Sequence, residues 1–253
     1  MPEGLRVEAA RERALDYLEG WARRDSGTAF SDAYVLMELL RARRGGAAGA
    51  VVQHMVKTQL EDGNWTVYQA ARPASFNTAL NIMALARAKE GGIAVPKDVL
   101  ERGTKALAAM RQKNDLFPYS TMTGHEWMTT EHGSIARDAL CEHALLATGK
   151  GDAKKLAAAL ARFEKFAPEL RIPTKQLYDY FNSRGHGGYY FFFAHRNAFE
   201  ASDLVDKKAR DRVRAFIREA VLKAREGDGT FMDHQMIGRA YATAQALCIL
   251  APR

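Results

Sequence analysis

The sequence predicts an all-α protein built from αα-hairpins, and three observations carry that reading. Its 253 residues hold 43 Ala and 23 Leu against 18 Val plus Ile; Ala and Leu are strong helix formers, whereas β-branched residues favour strands. Apolar residues recur at helical spacing in segment after segment, punctuated by Gly, Pro and Asp. The segments also alternate between charged, amphipathic helices and helices apolar on nearly every side, such as 79–88 and 240–250. The first kind lies at a surface and the second is buried. About five hairpins, or six, at a spacing of about 50 residues, therefore place amphipathic helices outside and apolar ones inside. A solenoid and a closed ring both fit, and the ring fits better because neither terminal hairpin resembles a polar cap.

Each element follows from its own residues. Over residues 5–23, Ala10, Ala14, Leu18 and Trp21 recur at helical spacing. Asp25-Ser26-Gly27 turns the chain into a more apolar helix over 31–43, which Gly45-Gly46 ends. Residues 48–60 are helical and close on Glu61-Asp62-Gly63-Asn64, and 77–89 is Ala-rich. Pro96 opens the helix over 96–112 from an N1-like position. An irregular stretch with Pro118 leads to a helix over 134–148. Asp152 caps the next, which runs to Phe166, and Pro168 and Pro173 enforce a loop. Gly187-Gly188 precedes a helix over 189–201, and 207–225 with 239–250 forms the last pair. Small residues recur on inner helices, with Thr78-Ala79 before Leu85 paralleling Thr243-Ala244 before Leu250 and Ala136 and Ala139 in between; they let helices approach closely.

Composition excludes several classes. Apolar residues at 47% and charged residues at 26% exclude a disordered chain. Cys141 and Cys248 form neither a disulfide framework nor a CxxC pair. No run approaches the ~20 apolar residues of a membrane span. The N-terminus carries no visible signal peptide, in keeping with a cytoplasmic protein or one whose signal has been trimmed. Lys plus Arg exceeds Asp plus Glu, 37 against 30. The densest basic stretch, 206–226, reads as a solvated outer face rather than a nucleic-acid footprint. Motifs for nucleotide binding and serine or zinc hydrolysis are absent, with no P-loop, GxGxxG, GxSxG or HExxH.

Gln59-Leu60-Glu61-Asp62-Gly63-Asn64-Trp65 fits the pattern QxxxGxW. It resembles the QW motif of squalene–hopene cyclases and related terpenoid cyclases, in which Gln59, Gly63 and Trp65 would tie successive hairpins together. Arg225-Glu226-Gly227-Asp228-Gly229-Thr230-Phe231 looks like a degenerate copy, and Gln112 starts another without the matching glycine. The stretches from Gly188 and from Tyr241 are also similar to the last repeats of protein prenyltransferases. The resemblance implies a single α/α-toroid domain over 1–253. It does not bring those enzymes' chemistry with it. The DxDD proton donor of the cyclases is absent, and in the prenyltransferase zinc pattern Gly188 stands where the cysteine would be and Ala242 where the histidine would be. No cofactor is therefore expected from the resemblance.

In such a toroid the loops entering inner helices gather at the mouth of a cavity. His125, His132, His186 and His234 lie in such loops, with Glu126, Glu131 and Asp233 beside three of them. His and carboxylates serve as acid–base groups and as zinc ligands, and surface loops are polar in any case. Arg137, Asp138 and Cys141 make the following helix the most polar inner one; they either meet a ligand or form a buried network. Cys141 and His143 are two apart on a helix and diverge by about 200°, so they do not form a nucleophile pair. In the aromatic run, Tyr190 and the i+4 polar residues His195 and Arg196, together with Tyr241, are the candidates to face a cavity. The expected role is a non-catalytic module that binds a hydrophobic small molecule or a protein partner. The alternative is an enzyme acting on a hydrophobic or isoprenoid-like substrate through the His/carboxylate rim, with zinc as a further option there.

Overall fold

The computed structural model describes residues 3–24, 28–67, 72–121, 129–170, 190–235 and 237–251, with residues 3–6 as backbone alone. Among these the regular structure is helical, and extended backbone pairs only at the isolated bridges Thr66–Pro73 and Arg225–Phe231. The chain divides into two compact units, Met1–Ala109 and Met110–Arg253.

In the first unit α1 spans Glu3–Ala22, α2 Ala29–Arg41, α3 Gly45–Lys57 and α4 Ser75–Glu90, followed by α5, Lys97–Met110. Thr28 caps α2 through a reciprocal pair with Ser31. The expected contrast between helices holds here: over residues 7–22 α1 buries only Leu15 and Ala22, whereas α4 is buried from Ser75 through Ala86. Its polar residues are satisfied locally. Asn77 donates to the Thr66 carbonyl at 2.7 Å, and Asn81 to the Ala29 and Asn77 carbonyls at 3.0 and 2.8 Å. Buried Asp32 on α2 meets His54 Nδ1 on α3 at 2.7 Å, joining two neighbouring helices.

In the second unit α6 spans Glu131–Ala147, α7 Ala153–Phe166, α8 Tyr190–Ala201, α9 Lys207–Lys223 and α10 Arg239–Leu250. Thr130, Asp152 and Asp206 cap α6, α7 and α9 by accepting from Gly133, Lys154 and Ala209 N–H groups. All twelve residues of α8 are buried, and α8 packs against α6, α9 and α10. The sequence predicts α10 to be buried on every side, and here the structure differs. Ala242, Gln245, Ala246 and Ile249 are buried, while Ala240, Ala244 and Leu247 are exposed. An apolar helix has no charged face to betray which side is uncovered.

Three connections repeat one geometry. After α3, α5 and α9, the N–H of Leu60, Gln112 and Glu226 donates to the carbonyl four residues on, at 2.9, 2.9 and 2.8 Å. Two residues after each donor, the side chain of Asp62, Asn114 or Asp228 accepts an N–H two positions further along. Gly63, Asp115 and Gly229 then take φ of +89°, +61° and +84°, a region tolerated by Gly and, less readily, by Asp. A buried aromatic completes each turn, Trp65, Phe117 or Phe231, and its N–H reaches a side chain on the next helix: Thr78, Asp138 or Thr243. The middle copy therefore starts at Arg111 and not at Gln112, with Asp115 at the glycine position. Gln59 itself donates to the carbonyls of Gly63 and Val99, both at 2.9 Å, and so pins this turn to α5.

Candidate functional site

On α6, which the sequence marks as the most polar inner helix, Arg137, Asp138 and Glu142 are engaged with the fold. Arg137, fully buried, donates through Nε to the Phe117 carbonyl at 2.8 Å and through Nη1 to the Gly133 carbonyl at 2.7 Å. Asp138 Oδ1 accepts the Phe117 N–H at 3.1 Å, so adjacent side chains of α6 hold both backbone groups of residue 117. Burial pushes the Asp138 carboxyl up to about 7, against the attraction of Arg137 and Arg162. One turn further along, buried Glu142 is held in a two-pronged ion pair by Arg111 at 2.9 and 2.6 Å. Cys141 is also buried. Arg137 and Asp138 thus belong to a buried hydrogen-bonded network around residue 117.

Of the loop candidates, Glu131, His132, Asp233 and His234 lie among the described residues. His125, Glu126 and His186 lie outside the described residues. Glu131 is exposed in the first turn of α6, where its charge suits the helix dipole. His132 is half-buried, lies tilted against the Phe166 ring at 4.1 Å and meets Glu169 at 2.8 Å. His234 is fully buried. Among the described residues no three His, Cys, Asp or Glu side chains are grouped as a metal ion would need.

Asp233 sits at the start of α8, where its Oδ2 accepts the Phe192 N–H at 3.2 Å. Burial pushes its carboxyl up to about 8, against the backbone N–H groups of Phe192 and Phe191. A carboxyl raised in the folded state binds its proton more tightly there than in the unfolded chain. The stability it confers is therefore present in acid and is lost as pH rises through about 8. Asp233→Asn keeps an oxygen for Phe192 and removes that titration. Its stability relative to wild type is expected to rise by on the order of 1 kcal/mol per pH unit between about pH 5 and about pH 8, read from urea midpoints at each pH.

Of the aromatic-run candidates, Tyr190 is buried against Phe193 and Tyr119. Arg196 pairs with Glu200 at 3.3 Å and donates to Gln245 at 3.0 Å, and Tyr241 is half-buried in the first turn of α10. His195 differs from all of these, because it lines a cavity of about 320 Å³. The other walls are Phe191 from α8, Ala167 and Pro168 from the short 3-10 turn after α7, and Phe216, Glu219, Ala220 and Lys223 from α9 with Ala224 beyond it.

The electrostatics of this cavity are simple. His195 Nδ1 donates its hydrogen to the Phe191 carbonyl at 2.6 Å, since a carbonyl only accepts. Nε2 then carries a lone pair and has no partner among the described residues. The ring lies between Phe191 at 4.2 Å and Phe163 at 5.1 Å, and burial holds it neutral by pushing its pKa down to about 4. Glu219 and Lys223 are exposed and pair with each other at 2.6 Å, so the opening carries no net charge from them. The sequence reading missed the α9 half of this cavity. Its signal was there, since Ala220 and Ala224 are four apart in a helix whose buried stripe is otherwise Val213, Ile217 and Val221.

No family model matches the chain, and no curated protein matches it. A solved structure does: Salmonella alpha-2-macroglobulin reacted with methylamine, at 15% sequence identity and a TM-score of 0.56 over 93% of this chain. The chain spans 17% of the length of that protein, which contains an α/α-toroid. The likeness shows the fold alone, an all-α architecture of the α/α-toroid class.

Proposed function

We propose that this chain is a non-catalytic binding module that holds a small apolar molecule in the cavity between α8, α9 and the turn after α7. The observation that carries the reading is the cavity itself: about 320 Å³, mostly apolar walls and one unpartnered, neutral imidazole nitrogen. Small-molecule sites are concave, mostly apolar and fixed in orientation by few polar groups, with volumes from about 300 Å³ upward. The charged residues at the opening neutralise one another, and His195 stays unprotonated, so the site favours retention over acid–base work. The toroid fold gives a scaffold and leaves the role to the site.

Ala220→Trp tests the reading by filling the cavity from the α9 side. In ligand-observed NMR with neutral single-ring fragments, wild type is expected to bind several, with affinities weakened about tenfold or more in the variant. Circular dichroism checks that the helices persist. Absence of binding to wild type, or equal binding to both proteins, sinks the proposal.

A further inference from the structure

The chemistry of the same cavity points to a ligand class. We infer that it selects an uncharged molecule carrying a hydroxyl group on a single apolar ring or short chain, with the hydroxyl donating to His195 Nε2. This rests on the binding role proposed above and narrows it.

Three features select that class. His195 is 1% exposed, and its Nδ1 is committed to the Phe191 carbonyl, so the polar atom left for a ligand is an acceptor. A ligand that supplies a donor satisfies it, whereas one that does not leaves a buried acceptor unpaired. The walls from Phe191, Phe216, Ala167, Pro168, Ala220 and Ala224 are apolar, and the two charged residues that also line the cavity, Glu219 and Lys223, are exposed and paired with each other. A carboxylate would face the Nε2 lone pair after losing its water, and a charged ligand of either sign would have to break the Glu219–Lys223 pair to find a counter-ion. At about 320 Å³ the cavity lies at the small end of ligand sites, which suits one ring with a short substituent.

Four probes of one shape separate these requirements: 4-propylphenol, propylbenzene, 4-propylbenzoate and 4-propylbenzylamine. Affinities are measured on the full chain by amide and methyl chemical-shift titration. The phenol is expected to bind about tenfold tighter than propylbenzene, as one hydrogen bond to an otherwise unpaired buried acceptor implies, with both charged probes weaker than either. In His195→Phe, which keeps a ring of similar size, the phenol is expected to fall to the affinity of propylbenzene. Equal affinity of phenol and propylbenzene for wild type overturns hydroxyl recognition and leaves the binding role standing. Tightest binding by a charged probe overturns the uncharged class. If none of the four binds, the binding role falls with it. The comparison within wild type needs no variant, so it decides the matter even if His195→Phe does not fold.

Discussion

Trp65→Ala is expected to lower stability by about 3–5 kcal/mol, the cost of truncating a large aromatic in a packed core. Trp65 is fully buried and donates its indole Nε1 hydrogen to the Met55 carbonyl at 2.8 Å. Its ring lies so close to α5 that a Cβ on Gly103 would stand 2.8 Å from Cζ3. Glycine in a helix interior costs about 1 kcal/mol relative to alanine; here it is what admits the indole. Removing that ring leaves a void that Gly103 has no side chain to fill, and it leaves the Met55 carbonyl without its indole donor. Gly63 is fixed by the same close approach, since a Cβ there would meet the Arg102 carbonyl at 2.5 Å. Trp65→Phe is expected to lose less, about 1–2 kcal/mol, because it forfeits chiefly the hydrogen bond and part of the packing. Phe117 and Phe231 occupy the matching place in the other two turns, so the turn itself accepts phenylalanine. Urea unfolding of the three proteins gives the comparison. An alanine variant within about 1 kcal/mol of wild type would show that the turn is held by its backbone pattern and not by the indole.

The helices were legible because their ends are marked by residues that act locally. Asp152 and Asp206 accept from the first turns of α7 and α9, and the Gly63 turn closes the connection after α3. The repeated turn was legible at Gln59 and Arg225 but misplaced by one residue at Gln112. A matching glutamine is a poor guide there, because the shared geometry comes from the Asx side chain, the positive-φ residue and the buried aromatic. Asn114, Asp115 and Phe117 satisfy these, while Arg111 replaces the glutamine and turns to Glu142. His195 was legible as a candidate from its i+4 relation to Phe191. The cavity was not, because a void is set by what two helices fail to fill. Ala220 and Ala224 read as good helix formers until Phe191 is seen to stand opposite. Arg137 and Asp138 were legible as a pair but not as a clamp, since their shared target is the backbone of Phe117, twenty residues upstream of Arg137.

That clamp gives the second large effect. Arg137→Leu is expected to cost about 3–5 kcal/mol, as breaking a buried charged network by removing one member does. Three acceptors lose a donor: the Phe117 carbonyl, the Gly133 carbonyl and Ser134 Oγ. Asp138 also loses one of the two arginines that favour its ionised form, leaving Arg162 at 3.5 Å. The loss therefore depends on pH. Below the Asp138 pKa of about 7 the carboxyl is protonated, and the attraction to Arg137 is not at stake. Above it the variant buries a carboxylate with less compensation, so the cost of Arg137→Leu is expected to grow from about pH 5 to about pH 8. Arg137→Lys separates the two contributions. A compact ammonium cannot reproduce the guanidinium fork across three acceptors, but it keeps the charge beside Asp138. Its cost is expected to be smaller, about 1–3 kcal/mol, and nearly flat over the same pH range. Parallel urea titrations of both variants at the two pH values make the comparison. A leucine variant whose cost does not change with pH would mean that Asp138 is held by the Phe117 N–H and Arg162 alone, with Arg137 serving only the backbone.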